Sequence, residues 1–171
     1  VPSLAEQPQG MFAIHLLDTV AASRNLQAAV QAGAAEAFLA AVAGVSPRLL
    51  GLVRETARQG IAEAVDAVNP DAIFVMHAGI LADLAIETGV PVVVHVGAGD
   101  LAAAAAGPVR DLVVATLGSC GAVAVDSATT AAAIRREWAD DARLLEEPWG
   151  LDGEAAPQVV AACRAAVHRR L

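Results

Sequence analysis

The segment from residue 70 to residue 101 constrains the fold more than any other part of the chain. Within it, residues 72–76 and 92–96 are short apolar runs that lack the polar alternation of a strand exposed on one face. Residues 80–87, between these runs, have the apolar spacing of a helix, and Pro91 prevents that helix from continuing. Buried strands joined by one short helix are typical of a right-handed βαβ unit. The pattern predicts that the two runs are adjacent parallel strands in the centre of a sheet.

Alternating strands and helices extend this unit along the chain. Further strands are predicted at residues 11–17, 121–125 and 143–145, and helices at residues 25–42, 108–117, 128–138 and from Pro157 onward. Another helix begins at Pro47 with Ser46 as its N-cap, and its expected buried stripe comprises Leu50, Val53, Ala57, Ile61 and Val65. This order predicts an α/β fold, a Rossmann-like three-layer sandwich with a mostly parallel sheet. We expect one domain over residues 1–171, with an irregular lead-in at 1–10 and a closing helix at 155–171.

Charge and composition exclude several classes of partner. The net charge of -8 and the pI near 4.8 argue against nucleic acid and against an anionic membrane surface. The longest uncharged apolar stretch, residues 112–125, is shorter than a membrane span of about 20 residues, so no span is predicted. Two cysteines cannot form a disulfide framework, and no signal peptide is visible, so a cytoplasmic location is expected. All 11 basic residues are arginine, and alanine is abundant, which indicates a GC-rich bacterial genome.

The candidate site residues follow the predicted strands, because ligands of open parallel sheets bind beyond the carboxyl ends of the strands. His77 ends the first central strand, where it either contacts a ligand or donates to a nearby carbonyl. Gly97 and Gly99 either let a substrate approach exposed N–H groups or only permit a turn. Asp100 suits the N-cap of a following helix, or alternatively a carboxylate that accepts hydrogen bonds from sugar hydroxyls. Ser127 is expected mainly as a helix cap.

The other histidines have simpler interpretations. His95 lies inside its strand, so burial under a helix is expected, and His15 is expected in the core for the same reason. His168 is expected at the surface of the last helix. No metal-ligand spacing, catalytic triad order or phosphate loop occurs, and the glycines at 97–99 lack the third glycine of a dinucleotide fingerprint. We therefore predict no metal and no cofactor in this chain.

Four segments, in this order and spacing, resemble the N-terminal domain of family-4-like retaining glycosyltransferases of the GT-B fold. They are PDAIFVMHAG, GVPVVVHVGAGDL, GAVAVDSATTAAAI and LLEEPWGLD, and the resemblance covers about residues 10–152. One departure concerns the loop after the second central strand. Gly97 stands where the family has its sugar-contacting histidine, and His95 lies two residues upstream as the nearest catalytic candidate.

The resemblance implies the acceptor-side half of a sugar-transfer cleft, built from His77, Gly97, Gly99, Asp100 and Ser127. It implies a sugar or polyol acceptor and hexosyl transfer from a nucleotide sugar, whose diphosphate a second domain or chain would hold. In the family, a strand, a Gly-Gly loop and a helix precede the equivalent of residue 11, and the donor-binding domain follows the equivalent of residue 152. We therefore expect a fragment, a split subunit or a degenerate relative. The alternative is a non-catalytic binding or interaction module that keeps the fold without the chemistry.

Overall fold

A computed structural model describes residues 41–42, 44–105, 108–139, 141–145 and 156–168. Three strands are present in these residues: β1 (Ile73–Val75), β2 (Val92–Val96) and β3 (Ala122–Val125). The helices are α1 (Pro47–Val68), α2 (Ala82–Glu87), α3 (Ala98–Ala103), α4 (Pro108–Ser119), α5 (Ala128–Ala133) and α6 (Ala156–His168), and a π-helical segment, Ile134–Trp138, continues α5. The predicted α/β class is confirmed.

The strands form a parallel sheet of order β1-β2-β3. Ile73 of β1 pairs with Val92, and Val93 of β2 pairs with Ala122 of β3. The predicted adjacency of the two central runs is confirmed, and all five residues of β2 are buried. β1 is only half-buried and lies at the end of the described sheet, so the central position holds for β2 alone among the described strands. At 143–145, Leu144 forms a single parallel bridge with Val123 instead of a full strand.

Helices cover both faces of the sheet, which gives the three layers that the sequence predicts. On one face, Val94, Val96 and Val125 pack in a core cluster with residues of α1, α2, α4 and the π-helical segment. On the opposite face, Val93 belongs to a smaller cluster with Ala166 and a second alanine of α6. Successive residues of β2 thus enter different cores, because side chains of a strand alternate between its faces. This two-sided burial explains why the run lacks the apolar–polar alternation of a strand exposed on one face.

Helix α1 begins where the sequence predicts. The Ser46 hydroxyl accepts a hydrogen bond from the Leu49 N–H at 3.3 Å, which satisfies one of the donors that a helix start leaves free. The helix ends at Val68, and its C-cap is Asn69, whose backbone has a left-handed φ of 47°. Of the predicted stripe, only Val53 and Ala57 are fully buried, and the other three members are half-buried. The stripe therefore faces the core only in the first half of the helix.

A charged contact joins α1 to α2. The Arg54 guanidinium binds both carboxylate oxygens of Asp83, at 2.5 and 2.9 Å, and also donates to the Ile80 carbonyl. The Arg54 and Asp83 side chains are 15% and 19% exposed, so this bidentate pair is largely shielded from solvent. The contact fixes the position of α2 immediately after the segment that carries His77.

Several predicted features lie outside the described residues. These are the lead-in at 1–10, the strand at 11–17 with His15, most of the helix at 25–42 and the segment 146–152. Within the described part of the chain, no helix has the length and apolar character needed to cross a membrane.

Candidate functional site at the carboxyl ends of β1 and β2

His77 and Asp100 meet at one edge of the sheet. His77 follows β1, and Asp100 lies in α3, directly after β2, so the parallel pairing of these strands brings both residues to the same edge. The His77 Nδ1 atom is 3.0 Å from Oδ1 and 3.3 Å from Oδ2 of Asp100. The Asp100 side chain is 4% exposed, whereas that of His77 is 46% exposed. A buried carboxylate thus contacts a histidine that is open to solvent.

This contact determines which ring nitrogen of His77 carries the proton. An ionised carboxylate only accepts hydrogen bonds, so the proton belongs on Nδ1 of His77. In the neutral ring, Nε2 then carries a lone pair and acts as an acceptor. A carboxylate that holds a histidine in one tautomer is the arrangement that orients a general base in many hydrolytic and transfer enzymes. His77 can therefore accept a proton from a ligand hydroxyl at Nε2.

The Asp100 carboxylate also organises the start of α3. The N-cap of this helix is Gly97, and Asp100 is its third helical residue. Asp100 Oδ2 accepts a hydrogen bond from the Gly97 N–H at 3.0 Å, which is the side-chain-to-backbone half of a capping box. The prediction that Asp100 is itself the N-cap is wrong, because the helix begins three residues earlier and uses the carboxylate from inside its first turn. The Asp100 side chain is 4% exposed, and its carboxylate contacts His77 and the Gly97 N–H.

Of the two alternatives for the loop glycines, an open N–H donor or a turn, the structure excludes the open donor at Gly97. The Gly97 N–H donates to Asp100, and the next N–H, that of Ala98, donates to Asp126 Oδ2 at 3.0 Å. A methyl group on Gly97 would lie 3.3 Å from that same Asp126 oxygen. Gly97 therefore makes room for the Asp126 carboxylate instead of offering its N–H to a substrate. Gly99 lies half-exposed in the first turn of α3.

Asp126, at the end of β3, is a member of this edge that sequence analysis missed. Its Oδ1 atom accepts a hydrogen bond from the Thr130 hydroxyl at 2.5 Å. Ser127 is the N-cap of α5, since its hydroxyl accepts a hydrogen bond from the Thr130 N–H at 3.1 Å. The expectation of a cap at Ser127 is confirmed. The signal for Asp126 was available, because an aspartate directly after a buried strand lies at the same edge as His77.

Competing effects set the pKa of Asp126. Partial burial acts to raise it, but hydrogen bonds from the Thr130 hydroxyl and the Ala98 N–H outweigh burial and lower the pKa below its ordinary value. His95 adds a smaller electrostatic contribution in the same direction. The Asp126 carboxylate is therefore ionised at neutral pH and accepts the loop N–H as a charged group.

The remaining histidines do not join the His77–Asp100 pair. His95 is 4% exposed and lies in the β2 register opposite Ala124, on the strand face that α6 covers. Its expected burial is confirmed, and its ring belongs to the interior. His168 is the last residue of α6, and its side chain lies outside the description. In the described ranges, no three His, Cys, Asp or Glu side chains are grouped so as to hold a metal ion.

Comparisons of the sequence with protein-family models and curated proteins, and of the fold with solved structures, gave no match. The resemblance to glycosyltransferase N-terminal domains therefore stays a prediction. What the structure defines is an α/β domain with a histidine–carboxylate pair at the carboxyl edge of its sheet.

Proposed function

We propose that this edge is the acceptor-side half of a sugar-transfer cleft, in which His77 binds and deprotonates a hydroxyl of a sugar or polyol. The observation that carries the proposal is the 3.0 Å contact between His77 Nδ1 and the buried Asp100 carboxylate, which leaves Nε2 as the hydrogen-bond acceptor of a side chain that is 46% exposed.

The proposed step uses each residue in one role. The acceptor hydroxyl donates its hydrogen bond to His77 Nε2, and its oxygen attacks the anomeric carbon of an activated sugar. The bond to the departing diphosphate breaks as the new glycosidic bond forms, and the hydroxyl proton passes to His77. Asp100 keeps the ring oriented and stabilises the imidazolium that results. The diphosphate would be held by a second domain or chain, because the described edge presents carboxylates instead of a cationic pocket.

Charge favours a neutral ligand. Asp100 and Asp126 both lie within about 4 Å of the position that a methyl group on Gly97 would occupy, at 4.0 and 3.3 Å respectively. Two carboxylates at such spacing repel phosphates and carboxylates, whereas they do not repel an uncharged hydroxyl group. The proposed ligand is therefore polyhydroxylated and uncharged at the end that enters the site.

The proposal places the chain in the cytoplasm, where nucleotide sugars are available as donors. Cys120 and Cys163 are both free thiols, which fits a reducing compartment. Burial raises the pKa of the Cys120 thiol to about 11, so this cysteine is not a competing nucleophile at neutral pH.

Amide chemical-shift mapping with a panel of neutral sugars and polyols tests the proposal. We expect shifts at His77 and at residues 97–100 at millimolar concentration, the range of about -4 kcal/mol that a few exposed hydrogen bonds supply. His77→Gln and Asp100→Asn should weaken these shifts, whereas Asp111→Asn, at an exposed aspartate of α4, should not. Shifts confined to other surfaces, or none with any sugar, would favour the non-catalytic interaction module. Transfer by this chain alone would instead reveal a complete enzyme.

A further inference from the structure

We propose that Asp126 is a positioning residue of the candidate site, which anchors residues 97–100 so that the Asp100 carboxylate meets His77. Its consequence for ligand binding rests on the proposed function, but its effect on the His77 ring does not. A residue at the end of β3 thus orients a histidine that follows β1, although β2 lies between these two strands.

The anchoring begins with two hydrogen bonds to one carboxylate. Asp126 Oδ1 accepts from the Thr130 hydroxyl at 2.5 Å, so the first turn of α5 holds the side chain in place. Asp126 Oδ2 accepts from the Ala98 N–H at 3.0 Å, and Ala98 is the first residue of α3. The backbone also contributes, since the Asp126 N–H donates to the Val96 carbonyl at 3.4 Å. One carboxylate oxygen of Asp126 is thus held by α5, and the other oxygen holds the start of α3.

The shape of the loop connects the Ala98 N–H to the Asp100 carboxylate. The Gly97 N–H, one residue before the anchored Ala98 N–H, points at Asp100 Oδ2 at 3.0 Å. Each peptide unit is planar, and only the φ and ψ angles of Gly97 separate the two N–H groups, so fixing the Ala98 N–H limits the directions available to the Gly97 N–H. Asp100 Oδ1, the other oxygen of the same carboxylate, contacts His77 Nδ1. A displacement of the Ala98 N–H therefore reaches His77 through the carboxylate of Asp100.

The Asp126 carboxylate lies close to the backbone of Gly97. A methyl group at this position would lie 3.3 Å from Asp126 Oδ2, tighter than ordinary van der Waals contact. The Gly97 backbone has φ -97°, which any residue adopts without strain, so the need for glycine comes from the carboxylate and not from the turn. Gly97→Ala thus perturbs the anchor without removing it.

The experiment reads the His77 ring by histidine-labelled ¹⁵N spectroscopy, without any ligand. In the wild type, Nδ1 should be protonated. In Asp126→Ala, the ring should shift toward the Nε2–H tautomer that free histidine favours, and sugar affinity should fall by about tenfold. Asp126→Asn should restore the wild-type spectrum, because its amide oxygen accepts from Ala98 while its NH₂ group donates to the Thr130 oxygen. Val53→Ala, a core variant in α1, controls for loss of stability and should leave the tautomer unchanged.

Gly97→Ala completes a double-mutant cycle with Asp126→Ala. The methyl group should disturb the His77 spectrum when Asp126 is present and add nothing when Asp126 is absent. An unchanged His77 tautomer in folded Asp126→Ala, or equal effects of Gly97→Ala in both backgrounds, would overturn the positioning role. If Asp126→Ala does not fold, Gly97→Ala alone tests the positioning role. An unchanged His77 tautomer in Gly97→Ala would then overturn that role. If the tautomer responds to these substitutions as expected but the wild type binds no sugar, the positioning role stands and the proposed function is wrong.

Discussion

The Nδ1 atom of His77 lies 3.0 Å from a carboxylate oxygen of Asp100, although 23 positions separate the two residues in the chain. The contact exists because β1 and β2 are parallel neighbours, so the segments that leave them emerge at the same edge of the sheet. One carboxylate then serves both the histidine and the Gly97 N–H. Stability of the loop and orientation of the histidine depend on the same side chain.

Replacing Asp100 by alanine should destabilise the domain. The change leaves the Gly97 N–H and His77 Nδ1 without their partner, which costs about 1–3 kcal/mol in the free energy of unfolding. Urea denaturation measures this cost. Asp111→Ala, at an exposed aspartate, is the matched control and should change the free energy by less than about 0.5 kcal/mol. Equal effects of the two substitutions would show that the contact contributes nothing to stability.

Thr116→Val should stabilise the domain. Thr116 is fully buried in α4, and among the described residues its hydroxyl has no hydrogen-bond partner. Valine keeps the shape of the side chain and removes a desolvated hydroxyl, so we expect a gain of about 1 kcal/mol, or a melting temperature roughly 2–4 °C higher. Thr129→Val, at an exposed position of α5, should change the melting temperature little. A lower melting temperature for Thr116→Val would mean that the hydroxyl is satisfied.

Aspartate substitutions along α1 should differ sharply in their effects. Val53 is 1% exposed in the main core cluster, so Val53→Asp buries an unpaired carboxylate at a cost of several kcal/mol, close to a typical total stability of about 5–15 kcal/mol. Ile61 lies on the same predicted stripe but is only half-buried, so Ile61→Asp should be tolerated with a smaller loss. Circular dichroism melting curves of the two variants provide the measurement. Unfolding by Ile61→Asp would show that the stripe is buried along its whole length.

Acid should weaken the Asp126 anchor. The pKa of Asp126 is lowered in the folded state, so on acidification the unfolded chain takes up this proton first. The stabilisation is complete above the ordinary pKa of 3.8 and is lost as the pH falls through the lower folded-state value. In Asp126→Asn this contribution cannot titrate. Below about pH 4, the wild type should therefore lose free energy of unfolding relative to Asp126→Asn. A difference between the two proteins that stays constant from pH 7 to pH 2 would contradict the lowered pKa.

Much of the fold was predictable because it depends on local patterns. A valine-rich run identified β2 and a short apolar run identified β3, and Ser46 followed by proline located the start of α1. The extent of burial along α1 was not predictable, since it depends on how far the neighbouring elements reach. Ile61 satisfies the helical period and still remains half-exposed.

The candidate site was predictable residue by residue but not as an arrangement. His77 and Asp100 were each identified by their places after strands, yet their contact depends on the start of α3 at Ala98. That start was missed because a carboxylate inside the first turn can cap a helix from its third residue as well as from the N-cap. The place of Asp126 after β3 could have indicated this edge, but its hydrogen bond to the Ala98 N–H, 28 residues away in the chain, could not be predicted from local patterns.

The central claim is that His77 Nε2 accepts a hydrogen bond from a hydroxyl-bearing ligand while Asp100 holds the ring. The most direct test is the ¹⁵N spectrum of the histidine rings during titration with the sugar that gives the largest amide shifts, with His77 assigned by His77→Gln. Our account predicts an unprotonated Nε2 on His77 whose resonance moves as the sugar saturates, while the buried ring of His95 stays unchanged. A His77 ring that is protonated at Nε2 and free at Nδ1, or that is unaffected at saturation, would contradict it.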